Sequence, residues 1–276
     1  MVPCIAITHN PKRYRKLCDR ATHEFTVIRK FDGVKHGISI LNEFSFRSMH
    51  PTMTDGAVGC LLAHLAAWKH IQTLSCKFAL VAEDDWIPPD NWKMHLEEIV
   101  SVAPEEADII YLTRPSDTIW GDGRVAVTGR SIKVNTTYTI RECVPMYSTG
   151  CMLISPLGAS KLVGNVGGEH ITLIPSDVLC WMSCATDDEL QDAFQYVPGE
   201  DKHINSYENI RLNSNFKQTT AWVIQRPKKN EKLINGRYQV AQFGRTPILT
   251  KPTTEIHKFS IRDALHPKAA TKISLP

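Results

Sequence analysis

Apolar positions in this chain fall into short runs separated by stretches with a helical repeat. Val2–Thr8, Thr26–Phe31, Lys77–Ala82 and Asp108–Thr113 are runs rich in apolar and β-branched residues, the pattern of buried strands. Pro11 opens a basic helix that reaches about Arg20. Asp55-Gly56 begins a second helix to about Leu74, with Val58, Leu61, Leu62, Leu65, Trp68 and Ile71 near helical spacing. Pro88-Pro89-Asp90 closes a loop and leads into a helix over Asn91–Val102. This alternation predicts an α/β fold, a mainly parallel Rossmann-like sheet flanked by helices. The middle of the chain differs. Gly121-Asp122-Gly123 reads as a turn, and Val125–Val134 and Thr137–Cys143 read as short strands of a small antiparallel element. Cys151–Ser155 is a further buried strand, followed by a helix with Pro156 in its first turn. Ile174-Pro175-Ser176-Asp177 leads into another helix, and Phe194–Pro198 reads as a late strand. Beyond about Asn215 the periodicity fades and Pro, Lys and Asn accumulate. The expected organisation is one folded domain over 1–215 and an extension over 216–276.

Composition adds little until charge is divided along the chain. Hydrophobic residues make up 42% and charged residues 22%, which is ordinary for a globular protein. The net charge is +3, but residues 226–276 hold 11 Lys/Arg against 3 Asp/Glu, a net +8, which leaves −5 on the rest. An acidic body with a basic C-terminal segment suggests attraction to an anionic partner such as a membrane face, or a solvated extension that wraps the body. Few aromatics interleave with the basic residues, so nucleic acid is not expected as a partner. No apolar run approaches the ~20 residues needed to span a bilayer. Met1–Ile7 has no basic leader and reads as the first strand, so the expectation is a cytoplasmic protein, at most peripheral to a membrane. The 8 cysteines are scattered, with no CxxC pair. Cys180 and Cys184 share a helix face but find no further Cys or His nearby to complete a zinc set, so buried reduced thiols are expected. The sequon at Asn135 has no weight without a secretory leader.

The chemistry concentrates where Lys77–Ala82 ends in Glu83-Asp84-Asp85. Three adjacent carboxylates repel one another, and a divalent cation held by oxygen ligands is the usual compensation. In open α/β sheets, ligands bind just outside the carboxyl ends of strands. On an extended strand Glu83 and Asp85 point together, with Asp84 opposite or turning into the loop. Acidic triplets also begin ordinary solvated loops; position directly after a buried strand favours the metal.

Several segments, in order, carry a family resemblance. Thr54-Asp55-Gly56-Ala57-Val58-Gly59-Cys60-Leu61-Leu62-Ala63-His64, then Leu80-Val81-Ala82-Glu83-Asp84-Asp85, resembles the "GEIGC-x-x-SH" helix and "EDD" strand end of glycosyltransferase family 25. Ile5-Ala6-Ile7-Thr8-His9-Asn10-Pro11-Lys12-Arg13 resembles its opening strand, and Phe31-Asp32-Gly33-Val34 its "F-D-A-V" segment. Gly150–Leu162 resembles its "a-Y-L-I-S-x-x-G-A-x-K-L" segment, and Pro175-Ser176-Asp177 its "P-x-D" step. The resemblance covers roughly residues 1 to 210.

It implies a glycosyltransferase A-type fold, a nucleotide-sugar donor (usually UDP-galactose), Mn²⁺ or Mg²⁺, and transfer with inversion. The acceptor would be a hydroxyl of a glycan, a lipid-linked oligosaccharide as in lipopolysaccharide biosynthesis, or a glycoprotein. Asp85 is the expected direct metal ligand, with Asp84 and Glu83 beside it. Inversion needs a base for the acceptor hydroxyl, and Asp177 is the candidate; it also reads as a helix N-cap. Thr8, Asn10, Arg13 and Asp32 lie at strand ends or in the first turn beyond, where a nucleoside diphosphate would rest. Gly56 and Gly59 permit close approach of a helix N-terminus. His64 reads either as a core histidine or as a site residue, and His203 as a further candidate metal ligand.

Three positions depart from the family pattern. Ala57 stands in place of a common Glu, Ala63 in place of a Ser, and Cys151-Met152 in place of a Tyr-bearing pair. The first two keep open an inactive domain that binds sugar or protein. Gly121–Ala126 formally fits the dinucleotide pattern GxGxxA, but it follows a polar loop and leads into a strand, so an oxidoreductase is not expected.

Overall fold

The structure, a computed structural model, describes residues 1–27, 46–49, 55–113, 127–143, 149–166, 171–184 and 216–225. The first strand, β1 (Cys4–Ile7), is followed by α1 (Pro11–Ala21) and β2 (Thr26–Val27). The Asn10 side chain caps α1 by accepting the amides of Lys12 and Arg13, and Pro11 supplies a pre-set first turn. After β3 (Phe46–Met49) come α2 (Asp55–Ile71), β4 (Ala79–Glu83), α3 (Trp92–Val102) and β5 (Ile109–Tyr111). The hairpin β6 (Val127–Lys133) and β7 (Thr139–Cys143) precedes β8 (Cys151–Ile154), α4 (Pro156–Val166), β9 (Ile171–Leu173), α5 (Ser176–Cys184) and β10 (Ala221–Gln225).

Eight strands form one sheet in the order β2-β1-β4-β8-β5-β10-β7-β6. β1 is parallel to β2 and β4, and β5 to β10, whereas β8 runs antiparallel between β4 and β5. β7 is antiparallel to β10 and to β6. β3 and β9 pair in a separate parallel ribbon. The α/β, Rossmann-like expectation holds, with the predicted antiparallel element at β6–β7. The reversed direction of β8 was not expected, because a strand buried on both faces reads the same in either direction.

Side-chain alternation divides the core in two. Ile5, Ile7, Ala79 and Val81 face one layer, built with Leu61, Leu65 and Trp68 of α2 and residues of α4 and α5. Cys4, Ala6, Leu80 and Ala82 face the other, with Leu17 of α1 and Trp92, Leu96 and Ile99 of α3. This is the two-residue period of an extended strand. The same alternation continues past Ala82 and sends successive acidic residues to opposite sides of the sheet.

The sheet continues past the boundary expected at residue 215. Asp108 and Ile109 donate backbone hydrogen bonds to Thr220 at 3.0 and 3.1 Å, and β10 is inserted between β5 and β7. Residues 216–225 therefore belong with the body: Ala221-Trp222-Val223-Ile224 is a core strand too short to raise the local periodicity. The basic residues 226–276, the turn at 121–123 and the late strand at 194–198 lie outside the described residues. Among the described residues, Cys4, Cys18, Cys60, Cys76, Cys151, Cys180 and Cys184 form no disulfide.

Asp108 ties α4 to the sheet. Its buried carboxylate accepts Lys161 Nζ at 2.6 Å and the Thr220 amide at 2.8 Å. Ser155 caps α4 by accepting the Gly158 amide at 2.9 Å. A Cβ on Gly158 would lie 2.5 Å from the Asp108 carbonyl oxygen, whereas one on Gly164 would meet only the flexible side chain of Lys217 at 3.9 Å. Gly158→Ala is therefore expected to lower stability by about 1–3 kcal/mol through overpacking, and Gly164→Ala to raise it by up to about 1 kcal/mol through helix propensity. Urea midpoints of the two variants check this; equal midpoints would refute the close approach.

Candidate active site

The site lies at the carboxyl ends of β1 and β4, which run side by side with Ile7 opposite Glu83. The Glu83 amide donates to the Gly150 carbonyl at 2.8 Å, so β8 fixes the strand end from the other side. From there the three carboxylates diverge.

Glu83 turns towards α2 and α5. Its Oε1 accepts Thr149 Oγ1 at 3.0 Å and lies 3.3 Å from His64 Nε2. Burial works to raise its pKa, but the His64 and Thr149 contacts and the Arg13 charge hold it below the usual carboxylate value. Asp84 turns the other way, towards α1. Its Oδ2 accepts Thr8 Oγ1 at 2.6 Å, its Oδ1 is ion-paired with Arg13, and its backbone carbonyl accepts Arg20 Nη2 at 2.8 Å. Burial still leaves its pKa raised. Asp85 has less company: the Arg13 charge and its own backbone amide favour its ionised form. Its Oδ1 is buried and without a hydrogen-bond partner among the described residues. Burial first, then the Glu83 charge, push its carboxyl up to about 6, with Arg13 opposing.

On the α2 side, Cys60 and His64 lie one helical turn apart and face Glu83, with one ligand atom from each within 4.8 Å of the others. Ser176 Oγ lies 3.5 Å from both Cys60 Sγ and Thr149 Oγ1. Asp177 is in the first turn of α5, where its Oδ1 accepts the Val178 amide at 2.9 Å. The Pro175 carbonyl accepts the first helical bond, from Leu179, so Asp177 follows the N-cap position and is not itself the cap. Burial raises the pKa of Asp177 and the Glu83 charge raises it further, against the pull of local backbone amides. A carboxylate kept protonated more readily than usual is suited to accept a proton near neutral pH.

A model for "Glycosyltransferase family 25 (LPS biosynthesis protein)" matches residues 7–180, more than half of the chain. The chain belongs to glycosyltransferase family 25. It is 29% identical over 136 residues to "Inactive glycosyltransferase 25 family member 3" of Mus musculus, a match covering 48% of this chain and 22% of the relative. It is 28% identical over 132 residues to "Probable inactive glycosyltransferase 25 family member 3" of Bos taurus, covering 47% and 21%. The match thus spans about a fifth of the length of these curated relatives.

Within this family 25 domain, Thr8, Arg13, Glu83, Asp84 and Asp85 come together at one sheet edge. Asn10 caps α1 beside them, and its amide donates to Thr8 Oγ1 at 3.2 Å. His64 is fully buried against Glu83 rather than lining an open surface. Gly56 and Gly59 lie in the first turns of α2. Asp32 and His203 lie outside the described residues. Asp84, expected beside Asp85 as a metal ligand, gives both oxygens to Thr8 and Arg13, because strand alternation points it at α1. Thr149, Ser176, Cys60 and Arg20 have contacts here that sequence reasoning did not assign. No local motif marks Thr149, since it reaches Glu83 only through the β4–β8 pairing.

Thr8→Val leaves a buried carboxylate oxygen short of a donor and is expected to cost about 1–3 kcal/mol, with Thr8→Ser retaining most of the stability. Urea denaturation of both variants checks this. Equal losses would mean that the hydroxyl of Thr8 does not support Asp84.

Proposed function

We propose that this chain is a metal-dependent glycosyltransferase that moves a hexose, galactose, from a UDP-sugar to a hydroxyl of a glycan, lipid-linked oligosaccharide or protein, with inversion. The observation that carries the reading is the buried, unpartnered Oδ1 of Asp85 at the carboxyl end of the central strand β4. Leaving such a group unsatisfied is costly, and a hard divalent cation is the ligand its chemistry fits. Mn²⁺ or Mg²⁺ held there would neutralise the diphosphate of the leaving group. UDP, galactose and inversion follow the family resemblance.

The chain's own groups divide the remaining work. Arg13, 37% exposed beside Asp84, can reach phosphate oxygens while keeping α1 against β4. The Thr8–Asp84 bond fixes the loop after β1, where the nucleoside would rest. Asp177 accepts the proton of the acceptor hydroxyl, and its raised pKa suits that role. The basic segment 226–276 supplies attraction to an anionic membrane face on the cytoplasmic side. No helix among the described residues is long and apolar enough to cross a membrane.

A second reading is an inactive domain that binds a sugar nucleotide or a protein. The names of the mouse and cattle relatives favour it, as do Ala57 and Ala63 in this chain.

The deciding experiment is the thermal midpoint with UDP or UDP-galactose, with and without Mn²⁺, alongside a transfer assay. Ligand at about 100 times its Kd adds roughly 2.7 kcal/mol, a rise of roughly 5–10 °C for a chain of this size. The rise is expected only with Mn²⁺ and is expected to vanish in Asp85→Asn. A manganese-dependent rise without transfer to any acceptor selects the inactive domain; no rise in the folded protein rejects the donor site. Asp177→Asn is expected to keep the UDP rise and lose transfer. Because the base acts unprotonated, the raised pKa of Asp177 places the acidic limb of kcat/KM above the ordinary carboxylate range near 4. A limb at or below that range would remove Asp177 from the role.

A further inference from the structure

We propose that Cys60, His64 and Glu83 form a second metal site, of a softer chemistry than the acidic triplet, suited to Zn²⁺. The i, i+4 spacing sets Cys60 and His64 on one face of α2, and Glu83 at the end of β4 closes the set, all three ligand atoms within 4.8 Å of one another. In a tetrahedral zinc site, bonds of about 2.0–2.3 Å place ligand atoms roughly 3.3–3.8 Å apart. The 3.3 Å between His64 Nε2 and Glu83 Oε1 already falls in that range.

The Nε2 contact bears on a ligand here. His64 is 0% exposed, and its Nε2 lies 3.3 Å from Glu83 Oε1, long for a charge-assisted bond. That separation equals the spacing of two ligand atoms on one tetrahedral ion, so Nε2 is the nitrogen that would bind an ion shared with Glu83. Nδ1, which has no hydrogen-bond partner among the described residues, is turned away from the set and carries no part of the inference. Thr149 holds the Glu83 carboxylate at 3.0 Å, and the Ser176 hydroxyl lies 3.5 Å from Cys60 Sγ. These two hydroxyls would orient the carboxylate and the thiol toward a bound ion. Trp68, one turn beyond His64, packs against its ring with centroids 5.8 Å apart, so the inner wall is apolar.

The donor set separates this site from the one at Asp85. Thiolate with imidazole selects Zn²⁺ over Mg²⁺ and Mn²⁺, which prefer oxygen. Cys60 binds as thiolate, so its proton passes to solvent on binding. The inference does not rest on glycosyl transfer, and a domain that transfers nothing would carry the same site.

Co²⁺ is the probe, because its charge-transfer band reports a thiolate ligand directly. The full chain, stripped with chelator, is expected to bind one Co²⁺ with a thiolate band that stoichiometric Zn²⁺ abolishes. Cys60→Ser is expected to lose the band, His64→Gln to weaken binding at least tenfold, and Cys76→Ser and Asp85→Asn to keep the band unchanged. Circular dichroism verifies folding of each variant. A second measurement needs no variant: Zn²⁺ is expected to slow maleimide labelling of Cys60 at least tenfold, read by peptide mass spectrometry. No thiolate band in the wild type, a band retained in folded Cys60→Ser, or labelling of Cys60 indifferent to Zn²⁺ would each overturn the site. A lost UDP–Mn²⁺ effect with the cobalt band intact would reject only the glycosyltransferase reading.

Discussion

The structure is organised around the mutual repulsion of three neighbouring carboxylates at the end of a buried strand. Glu83, Asp84 and Asp85 cannot be gathered in a partly desolvated edge without compensation. The fold provides it by separating them. Strand alternation sends Glu83 to the α2 and α5 side and Asp84 to the α1 side, so the two meet different partners. Thr149 and His64 serve one; Thr8, Arg13 and Arg20 serve the other. Of the three, Asp85 keeps a buried oxygen without a partner among the described residues. The fold thus treats three chemically similar groups unequally.

The sheet order makes this division possible. β4 is flanked by β1 and β8, so its end is reached by the loop after β1 on one edge and by Thr149, just before β8, on the other. Because β8 is antiparallel, its beginning lies at the same edge as the end of β4, and Gly150 anchors Glu83 through the backbone. A parallel β8 would have delivered its carboxyl end there, with Thr149 at the opposite edge. The reversed strand therefore brings a hydroxyl to the inner carboxylate. Asp108 does comparable work at the far side, joining α4 and the approach to β10 with one carboxylate.

Much of this was legible in the chain before any coordinates. The apolar run ending in the triplet marked the site, and the Asn10-Pro11 start of α1 and the periodicity of Val58 to Ile71 marked two of the helices. The opposed directions of Glu83 and Asp84 followed from strand geometry alone. What escaped depended on long-range pairing. The direction of β8, the recruitment of β10 and the Thr149–Glu83 contact involve partners from 41 to 112 residues apart, and nothing local encodes them. The partners of Asp84 escaped for a related reason: Arg13 and Thr8 come from the neighbouring helix and strand, and only the β1–β4 register shows that they meet it. Cys60 and His64 lay in plain view one turn apart, but their third companion came from another element.

The cost of Asp85 bears on the choice between an active and an inactive domain. Asp84 is already neutralised by protein groups, so the fold tolerates the triplet without a metal, and turnover can be lost while the domain persists. Asp85 is a different case. A buried carboxylate oxygen with no partner among the described residues costs on the order of 1–3 kcal/mol. A domain serving only to bind a protein gains nothing from that cost, since the isosteric amide would relieve the charge at the same volume. Functional sites are where local rules are broken at the expense of stability. The unrelieved position of Asp85 therefore favours a ligand that engages the carboxylate directly, whether or not a sugar is then transferred.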